Sequence, residues 1–193
     1  MRELPGVRLA GVHDVDGVRA ARVSAELDTP AHPDLDGLLE AIDALIVAVP
    51  TRSHFEVGRR AIERGCDLLI EKPITTSTAE ADELISLGAQ HGRVIQVGHI
   101  ERFNSAVRAC DSYLENPLFV ESHRLAPFEG RGTDVTVVLD LMIHDIDLIL
   151  SLVRRPVLEV RAVGVAVLSG RVDIANARLE FEGGAVANIT ASR

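Results

Sequence analysis

A short apolar run that ends in charged residues carries the most specific chemistry in the chain. Leu68-Leu69-Ile70 is followed at once by Glu71-Lys72-Pro73, and the proline prevents the strand from continuing. Ligands of open α/β sheets bind beyond the carboxyl ends of the strands, so Lys72 is placed to reach a substrate. A cation there would stabilise the alkoxide that develops as a carbinol is oxidised. Glu71 is expected to be a supporting or capping group rather than a base.

Two polar residues four positions apart interrupt an apolar helical segment further along the chain. Asp140 and His144 would lie on one face of an α-helix, because residues at i and i+4 are neighbours on its surface. Lysine, histidine and aspartate together can support hydride transfer coupled to proton transfer. The alternative interpretation is a hydrogen-bonded polar pair without a chemical role. Asp147 is expected near the same face, and Asp145 is expected to be solvated.

Composition argues against several classes of function. The formal charge of −9 and the scattered basic residues argue against a nucleic-acid partner, which requires clustered Lys and Arg. The longest apolar segment, 135–153, is interrupted by aspartates and a histidine, so no membrane span is predicted. The histidines and carboxylates show no compact ligand spacing such as H-E-x-x-H, so no metal site is predicted.

Cysteine usage and the first residues of the chain indicate a compartment. Cys66 and Cys110 are isolated, which fits neither a disulfide framework nor a zinc site and is typical of a reducing cytoplasm. Residues 1–6 contain no apolar segment of the kind found in secretory signals. We therefore expect a soluble, cytoplasmic protein.

The first half of the chain alternates short apolar strands with helices. This order is typical of βαβ units and of a parallel sheet that is covered on both faces. Helix C-caps are expected near Gly65 and Gly92. The predicted strands are Val7–Val12, Ala44–Val49, Leu68–Ile70 and Arg93–Val97, and the predicted helices are Val18–Leu27, Asp34–Ile42, Ser53–Arg64 and one from 75–78 to His91.

After about Gly98 the pattern changes to longer strands joined by short turns. The turns at 169–170 and 182–184 are hairpin signals, so this sheet is expected to be mostly antiparallel. The predicted elements are a helix from Asn104 to Tyr113, a strand Leu118–Leu125, a long helix capped by Thr133-Asp134 and ending at Val153, and strands Val157–Leu168, Val172–Phe181 and Ala185–Ala191. The sequence therefore predicts two lobes with a boundary near residue 98.

The chain lacks the turn with which a dinucleotide-binding sheet normally opens. No G-x-G-x-x-G pattern occurs, and Gly130-Arg131-Gly132 lies in the second half without a third glycine. The first predicted strand ends near Asp14, whereas such an acidic residue usually follows the second strand. We predict an α/β fold with a partial Rossmann-type parallel sheet lacking its first βα unit, followed by a partial α+β domain. Without its central neighbour, the strand Val7–Val12 should detach, pair abnormally or leave a gap.

Five stretches, in this order, resemble the glucose–fructose oxidoreductase/inositol dehydrogenase/MocA (Gfo/Idh/MocA) family. They are His13-Asp14, Ala48-Val49-Pro50 with His54, Glu71-Lys72-Pro73, His99-Ile-Glu-Arg-Phe-Asn104, and Asp140-x-x-x-His144 with Asp147. The last two look most like the branch that includes nucleotide-sugar 3-dehydrogenases acting on UDP-N-acetylglucosamine. The resemblance implies an incomplete dinucleotide-binding domain at 1–98 and an incomplete substrate and oligomerisation domain at 99–193.

The resemblance also implies a role for each matching residue. Lys72 would polarise the substrate oxygen, His144 would exchange the hydroxyl proton, and Asp140 would orient the imidazole. Cofactor contacts are expected from Asp14, Pro50, Thr51, His54, Glu71, Lys72 and Arg102, and substrate contacts from Asn104 and Asp147. An acidic residue at the position of Asp14 favours NAD over NADP. The alternatives are a structural role for His54, a helix cap at Asn104 and a turn at Asp14.

Two functions of different classes fit these features. The first is an NAD(P)-dependent oxidoreductase that moves a hydride between nicotinamide and a secondary hydroxyl of a sugar or nucleotide sugar, in a homo-oligomer formed through the C-terminal sheet. The alternative is a non-catalytic fragment or pseudo-enzyme that keeps the family sheet for self-association without binding a dinucleotide. The intact catalytic residues favour the first, and the missing glycine turn favours the second.

Overall fold

A computed structural model describes residues 4–110, 112–128 and 135–193. The chain divides into two compact units, 1–98 and 99–193. Gly130, Gly132 and the predicted helix cap Thr133-Asp134 lie outside the described residues. Over the described part of the chain, no helix is both long enough and apolar enough to cross a membrane.

The first unit is built on three parallel strands with helices between them. Its elements are α1 (Gly17–Leu27), α2 (Leu35–Leu39), β1 (Ala44–Val47), a 3₁₀ turn (Thr51–Ser53), α3 (His54–Glu63), β2 (Asp67–Ile70), α4 (Thr78–His91) and β3 (Ile95–Val97). Strand β2 is central and pairs in parallel with β1 and β3. The fully buried Ile62 and Leu84, on α3 and α4, belong to one core with Ile70 of β2.

Local capping explains where the helices of this unit begin and end. Asp16 accepts hydrogen bonds from the amides of Val18 and Arg19 and starts α1. Ser77 caps α4 and accepts from the Glu80 amide, while the Glu80 carboxylate reaches back to Thr76. These contacts confirm the predicted cap signals at the start of α4.

The predicted strand Val7–Val12 is wrong as an extended strand. Val12 forms an isolated bridge with Ala31, and Val7 is half exposed. Within the described residues, β1 has one hydrogen-bonded neighbour, β2, so the segment 7–12 does not join the three-stranded sheet. The physical reason is the one foreseen from the sequence: a strand of a parallel sheet requires a neighbour for its backbone groups. The expectation that this segment would leave the sheet is confirmed.

The second unit combines a four-stranded sheet with one main helix. Its elements are a 3₁₀ turn (Ile100–Phe103), α5 (Ser105–Cys110), β4 (Phe119–Leu125), a π-helical segment (Val138–Met142), α6 (Ile143–Val153), β5 (Val157–Val165), β6 (Ile174–Phe181) and β7 (Val186–Ser192). The strand order is β4-β7-β6-β5, with β4 parallel to β7 and the other pairs antiparallel. The predicted fold class is confirmed.

Alternation along the strands separates a core face from an outward face. In β6, Ala177, Leu179 and Phe181 are buried, whereas the residues between them are more exposed. The buried set forms one core with Met142 and Ile149 of the helical segment. This packing fixes the position of the helix that carries the second set of predicted catalytic residues.

Candidate active site

Lys72 lies directly beyond β2, in a loop whose first residue, Glu71, is hydrogen-bonded to β1. The Glu71 amide donates to the Val47 carbonyl at 3.0 Å, and the Lys72 amide lies 3.3 Å from Glu71 Oε2. Gly98, at the end of β3, leaves room for this carboxylate, because a Cβ at residue 98 would lie 3.1 Å from Glu71 Oε2. The Glu71 carboxylate therefore lies against Gly98, directly after β3, and its supporting role and its predicted cofactor contact stay predictions.

Lys72 is also the one lysine in the whole sequence. The chain has 20 basic residues besides histidine, and the other nineteen are arginines. A compact ammonium on a flexible stem differs from a planar guanidinium in its donors and in its ability to change protonation state. The single lysine of the chain therefore lies at a strand end, in the Glu71-Lys72-Pro73 motif.

His54 lies at the start of α3 and is 1% exposed. Its Nδ1 is 2.8 Å from the Pro73 carbonyl oxygen, and its Nε2 is 2.8 Å from the Val49 carbonyl oxygen. These contacts engage both ring nitrogens with the backbone of the loops that follow β2 and β1. They agree with the structural interpretation of His54, and its predicted cofactor contact stays a prediction.

Asp14 takes part in a turn and in an exposed ion pair. Its Oδ1 accepts from the Asp16 amide at 2.9 Å, and its Oδ2 lies 3.3 Å from Arg19 Nη1. These contacts match the turn interpretation, and a ribose contact stays a prediction. Pro50 and Thr51, by contrast, begin the short 3₁₀ turn that leads into α3.

The residues of the first unit fit part of a dinucleotide site. Pyrophosphate is usually held by backbone N–H groups at a helix N-terminus. In α1 those of Val18 and Arg19 are occupied by the Asp16 carboxylate, whereas no side chain caps the turn at Thr51. Since the sequence has no G-x-G-x-x-G turn, a contact between a nicotinamide dinucleotide and the strand ends near Lys72 stays a prediction.

Asp140 and His144 lie on either side of a change in helix type. Asp140 belongs to the π-helical segment, and His144 to the first turn of α6. Single π turns inside helices occur frequently at functional sites. Asp140 Oδ2 lies 3.6 Å from Nη1 of Arg193, whose side chain is nearly buried. The orientation of His144 by Asp140 stays a prediction, and Arg193 is a neighbour that sequence reasoning missed.

Arg193 connects Asp140 to a wholly buried carboxylate. Its Nη2 donates to the Val135 carbonyl at 2.7 Å, and its Nε lies 3.4 Å from Asp173 Oδ1. Asp173 also accepts from the Ser169 hydroxyl at 2.6 Å. The Ser169 hydroxyl and the amides of residues 169, 167 and 168 hold the pKa of Asp173 well below its usual value. The same hydrogen bonds close the turn after β5, which explains why that strand ends at Val165 rather than at the predicted residue 168.

Asp145 is buried rather than solvated, so that expectation is wrong. It is 6% exposed and accepts from Arg124 Nε at 2.7 Å and from the Ser122 hydroxyl at 3.0 Å. Ser122 and Arg124 stand opposite buried residues of β7, Ile189 and Ala191, so they occupy the core face of β4. The hydrogen bond to Asp145 raises the pKa of the Arg124 guanidinium. Helix α6 is thereby attached to the sheet beside His144.

Two residues predicted to bind different ligands contact each other. Arg102 Nε donates to Asp147 Oδ2 at 2.7 Å, and its Nη2 contacts the other carboxylate oxygen. His99 Nδ1 lies 3.7 Å from the same carboxylate. Asn104 Oδ1 accepts from the Ala106 amide, the contact expected of a helix cap. The predicted ligand contacts of Arg102, Asn104 and Asp147 stay predictions.

The arrangement supplies parts for acid–base chemistry on an alcohol. The first unit presents an ammonium at a strand end, and the second presents an imidazole and a carboxylate on one helical segment. In the part of the chain that the structure describes, no group of three or more His, Cys, Asp or Glu side chains is arranged to hold a metal ion.

Comparison with known proteins identifies the family. Residues 1–99 match the family model described as an oxidoreductase family with an NAD-binding Rossmann fold, and residues 98–193 match the GFO/IDH/MocA C-terminal domain. The chain belongs to the Gfo/Idh/MocA oxidoreductase family. This finding confirms the resemblance inferred from the five motifs.

Individual relatives agree with this membership. UDP-N-acetylglucosamine 3-dehydrogenase of Acidithiobacillus ferrooxidans is 44% identical over 96% of this chain and 60% of its own length. A crystal form of that enzyme superposes with a TM-score of 0.92, covering 96% of this chain and 61% of that one. The 2,7-anhydro-N-acetylneuraminate hydratase of Mediterraneibacter gnavus is 34% identical over 56% of this chain and 29% of its own length. This chain therefore spans less than two thirds of the length of these Gfo/Idh/MocA relatives.

Proposed function

We propose that the chain contributes to an NAD-dependent dehydrogenase acting on a secondary hydroxyl of a sugar or nucleotide sugar. The observation that carries this proposal is the position of Lys72, the one lysine of the chain, directly beyond the central strand β2. Family membership and the 44% identity to a UDP-N-acetylglucosamine 3-dehydrogenase support the reaction class and the substrate class. Residues 1–98 would hold the cofactor, and residues 99–193 the substrate.

The residues of the chain would divide the chemistry between them. Nicotinamide, when bound, supplies the hydride acceptor or donor. The ammonium of Lys72 would stabilise the developing alkoxide. His144 would exchange the hydroxyl proton, with Asp140 setting the orientation of its ring.

The proposal extends to self-association through the outward face of the second unit. That face carries exposed apolar side chains, most of them on the edge strands β4 and β5, and polar pairs such as Arg178–Asn188 on the inner strands. The exposed apolar residues are Phe119 and Leu125 on β4, Val163 and Val165 on β5, and Ile174 on β6. A cytoplasmic location completes the proposal, supported by two cysteines that are not bonded to each other, Cys66 and Cys110.

The test is kinetic and uses a chimera of this chain with the UDP-N-acetylglucosamine 3-dehydrogenase of Acidithiobacillus ferrooxidans. Residues 7–193 replace the matching segment of the Acidithiobacillus enzyme, which supplies the rest of its own length. Lys72→Ala and His144→Ala should each lower kcat by about 10²–10⁴-fold with UDP-N-acetylglucosamine and NAD, as expected for an electrostatic stabiliser and a general acid/base. Asp14→Ala should raise the KM for NAD and leave kcat at saturation unchanged.

Matched variants separate chemistry from folding. Lys72→Arg keeps the charge and should still lose activity, because a guanidinium places its donors differently. His91→Ala removes an exposed histidine at the end of α4 and should leave kcat unchanged. Wild-type turnover in the folded Lys72→Ala chimera would remove Lys72 from the mechanism.

A further inference from the structure

His54 connects two loops that follow adjacent parallel strands. The Val49 carbonyl follows β1 and the Pro73 carbonyl follows β2, and each lies 2.8 Å from a ring nitrogen of His54. Strands β1 and β2 are paired in register up to Val47 and Ile70, so the two loops leave the sheet side by side. One buried side chain thus spans the gap between them.

The chemistry of the two acceptors defines what the ring must donate. A carbonyl oxygen accepts hydrogen bonds and does not donate them, and a neutral imidazole has one N–H. Both contacts are hydrogen bonds at the same time only when both ring nitrogens carry a proton. A side chain without donors would leave the Val49 and Pro73 carbonyls without this partner.

The two loops carry the residues that the proposed function requires. Pro50 and Thr51 directly follow Val49, and Lys72 directly precedes Pro73. Glu71, on the other side of Lys72, is already fixed by the hydrogen bond from its amide to the Val47 carbonyl, and its carboxylate lies against Gly98. His54 is therefore placed to fix the remaining side of the short segment that presents the lysine.

We propose that His54 is a positioning residue that ties the Lys72 loop to the Pro50–Thr51 loop by donating from both ring nitrogens. The catalytic meaning of this tie rests on the proposed function, whereas the tie itself does not. It fixes the direction in which the ammonium leaves the sheet relative to the strand-end portion of the cofactor site. The role is separate from the predicted cofactor contact of His54, which stays a prediction.

The single lysine makes this inference measurable without cofactor or substrate. Reductive ¹³C-methylation of the chain labels Lys72 Nζ and the α-amino group, so one side-chain signal reports on the loop. His54→Leu removes both donors and should move the Lys72 methyl resonance by more than its linewidth. His54→Gln keeps an N–H donor and should restore part of the wild-type position. Leu84→Ala, a fully buried change on α4, is the control for lost stability and should leave the resonance unmoved.

The outcomes separate positioning from packing. An unmoved resonance in folded His54→Leu, or an equal shift in Leu84→Ala, would overturn the proposal. If His54→Leu does not fold, the ¹⁵N spectrum of the wild-type imidazoles decides, since His54 is the one buried histidine among the described residues. Two slowly exchanging, protonated ring nitrogens support the tie, and one unprotonated nitrogen in that ring refutes it. If the chimera with the wild-type residues is inactive while the Lys72 and His54 signals behave as expected, the proposed function is refuted and the role of His54 in joining the two loops is not.

Discussion

Replacing Asp145 by asparagine tests whether the buried ion pair attaches α6 to the sheet. The carboxylate accepts from Arg124 at 2.7 and 3.1 Å and from Ser122 at 3.0 Å, with side-chain exposures of 8% for Asp145 and 30% for Arg124. Removing one partner of a fully buried pair destabilises a protein by about 3–5 kcal/mol. Since Arg124 retains some access to water, we expect about 2–3 kcal/mol for Asp145→Asn.

The loss should appear in the unit that contains α6. For a domain of this size, 2–3 kcal/mol lowers Tm by roughly 10–20 °C. Hydrogen exchange of the α6 amides should accelerate by about 30–150-fold if they exchange through unfolding of the second unit. Amides of α4, in the first unit, supply the internal control and should be unchanged.

A double variant distinguishes an unpaired charge from simple loss of packing. Arg124→Met combined with Asp145→Leu replaces the pair by apolar groups and should recover most of the stability lost in Asp145→Asn. Ser122→Ala removes one hydrogen bond and should cost about 1 kcal/mol. If the double variant were as unstable as Asp145→Asn, or if α6 protection were unchanged in Asp145→Asn, the reasoning about this pair would be refuted.

Two further predictions concern acid stability and cofactor binding. The Ser169 hydroxyl and three amides depress the folded-state pKa of Asp173. Asp173 therefore contributes stability above its unfolded pKa of about 4, and this stability is lost as pH falls through the folded value. Below pH 4, the urea midpoint of unfolding should fall less steeply with pH in Asp173→Asn than in wild type. The chain 1–193 should bind NADH weakly or not at all, since its sequence contains no glycine-rich turn for the pyrophosphate; saturable nicotinamide fluorescence at micromolar concentration would contradict that expectation.

Local patterns in the sequence were sufficient for most of the fold. The apolar run before Lys72 and the cap signals around Ser77 and Gly92 act over a few residues, and the structure agrees with both. The strand predicted at 7–12 is wrong because a strand also depends on its neighbours, and this segment forms only an isolated bridge between Val12 and Ala31.

The supporting contacts of the candidate site were beyond sequence reasoning. Arg193 reaches Asp140 from 53 positions away, and Arg124 reaches Asp145 across 21. No periodicity or motif links such pairs, because the sheet brings them together only after folding. The expectation that Asp145 is solvated is wrong for this reason, because its position in the helix does not show that strand β4 packs against it.

The outer edge of β1 has a consequence for handling the protein. Among the described residues, no strand pairs with this edge, although β1 carries the buried residues Leu45 and Val47. Such an edge offers a row of amides and carbonyls that any extended chain can match. If a second chain pairs with this edge, the turbidity of solutions of residues 1–193 should grow with protein concentration. A short peptide that pairs with this edge would occupy its amides and carbonyls and so prevent that association.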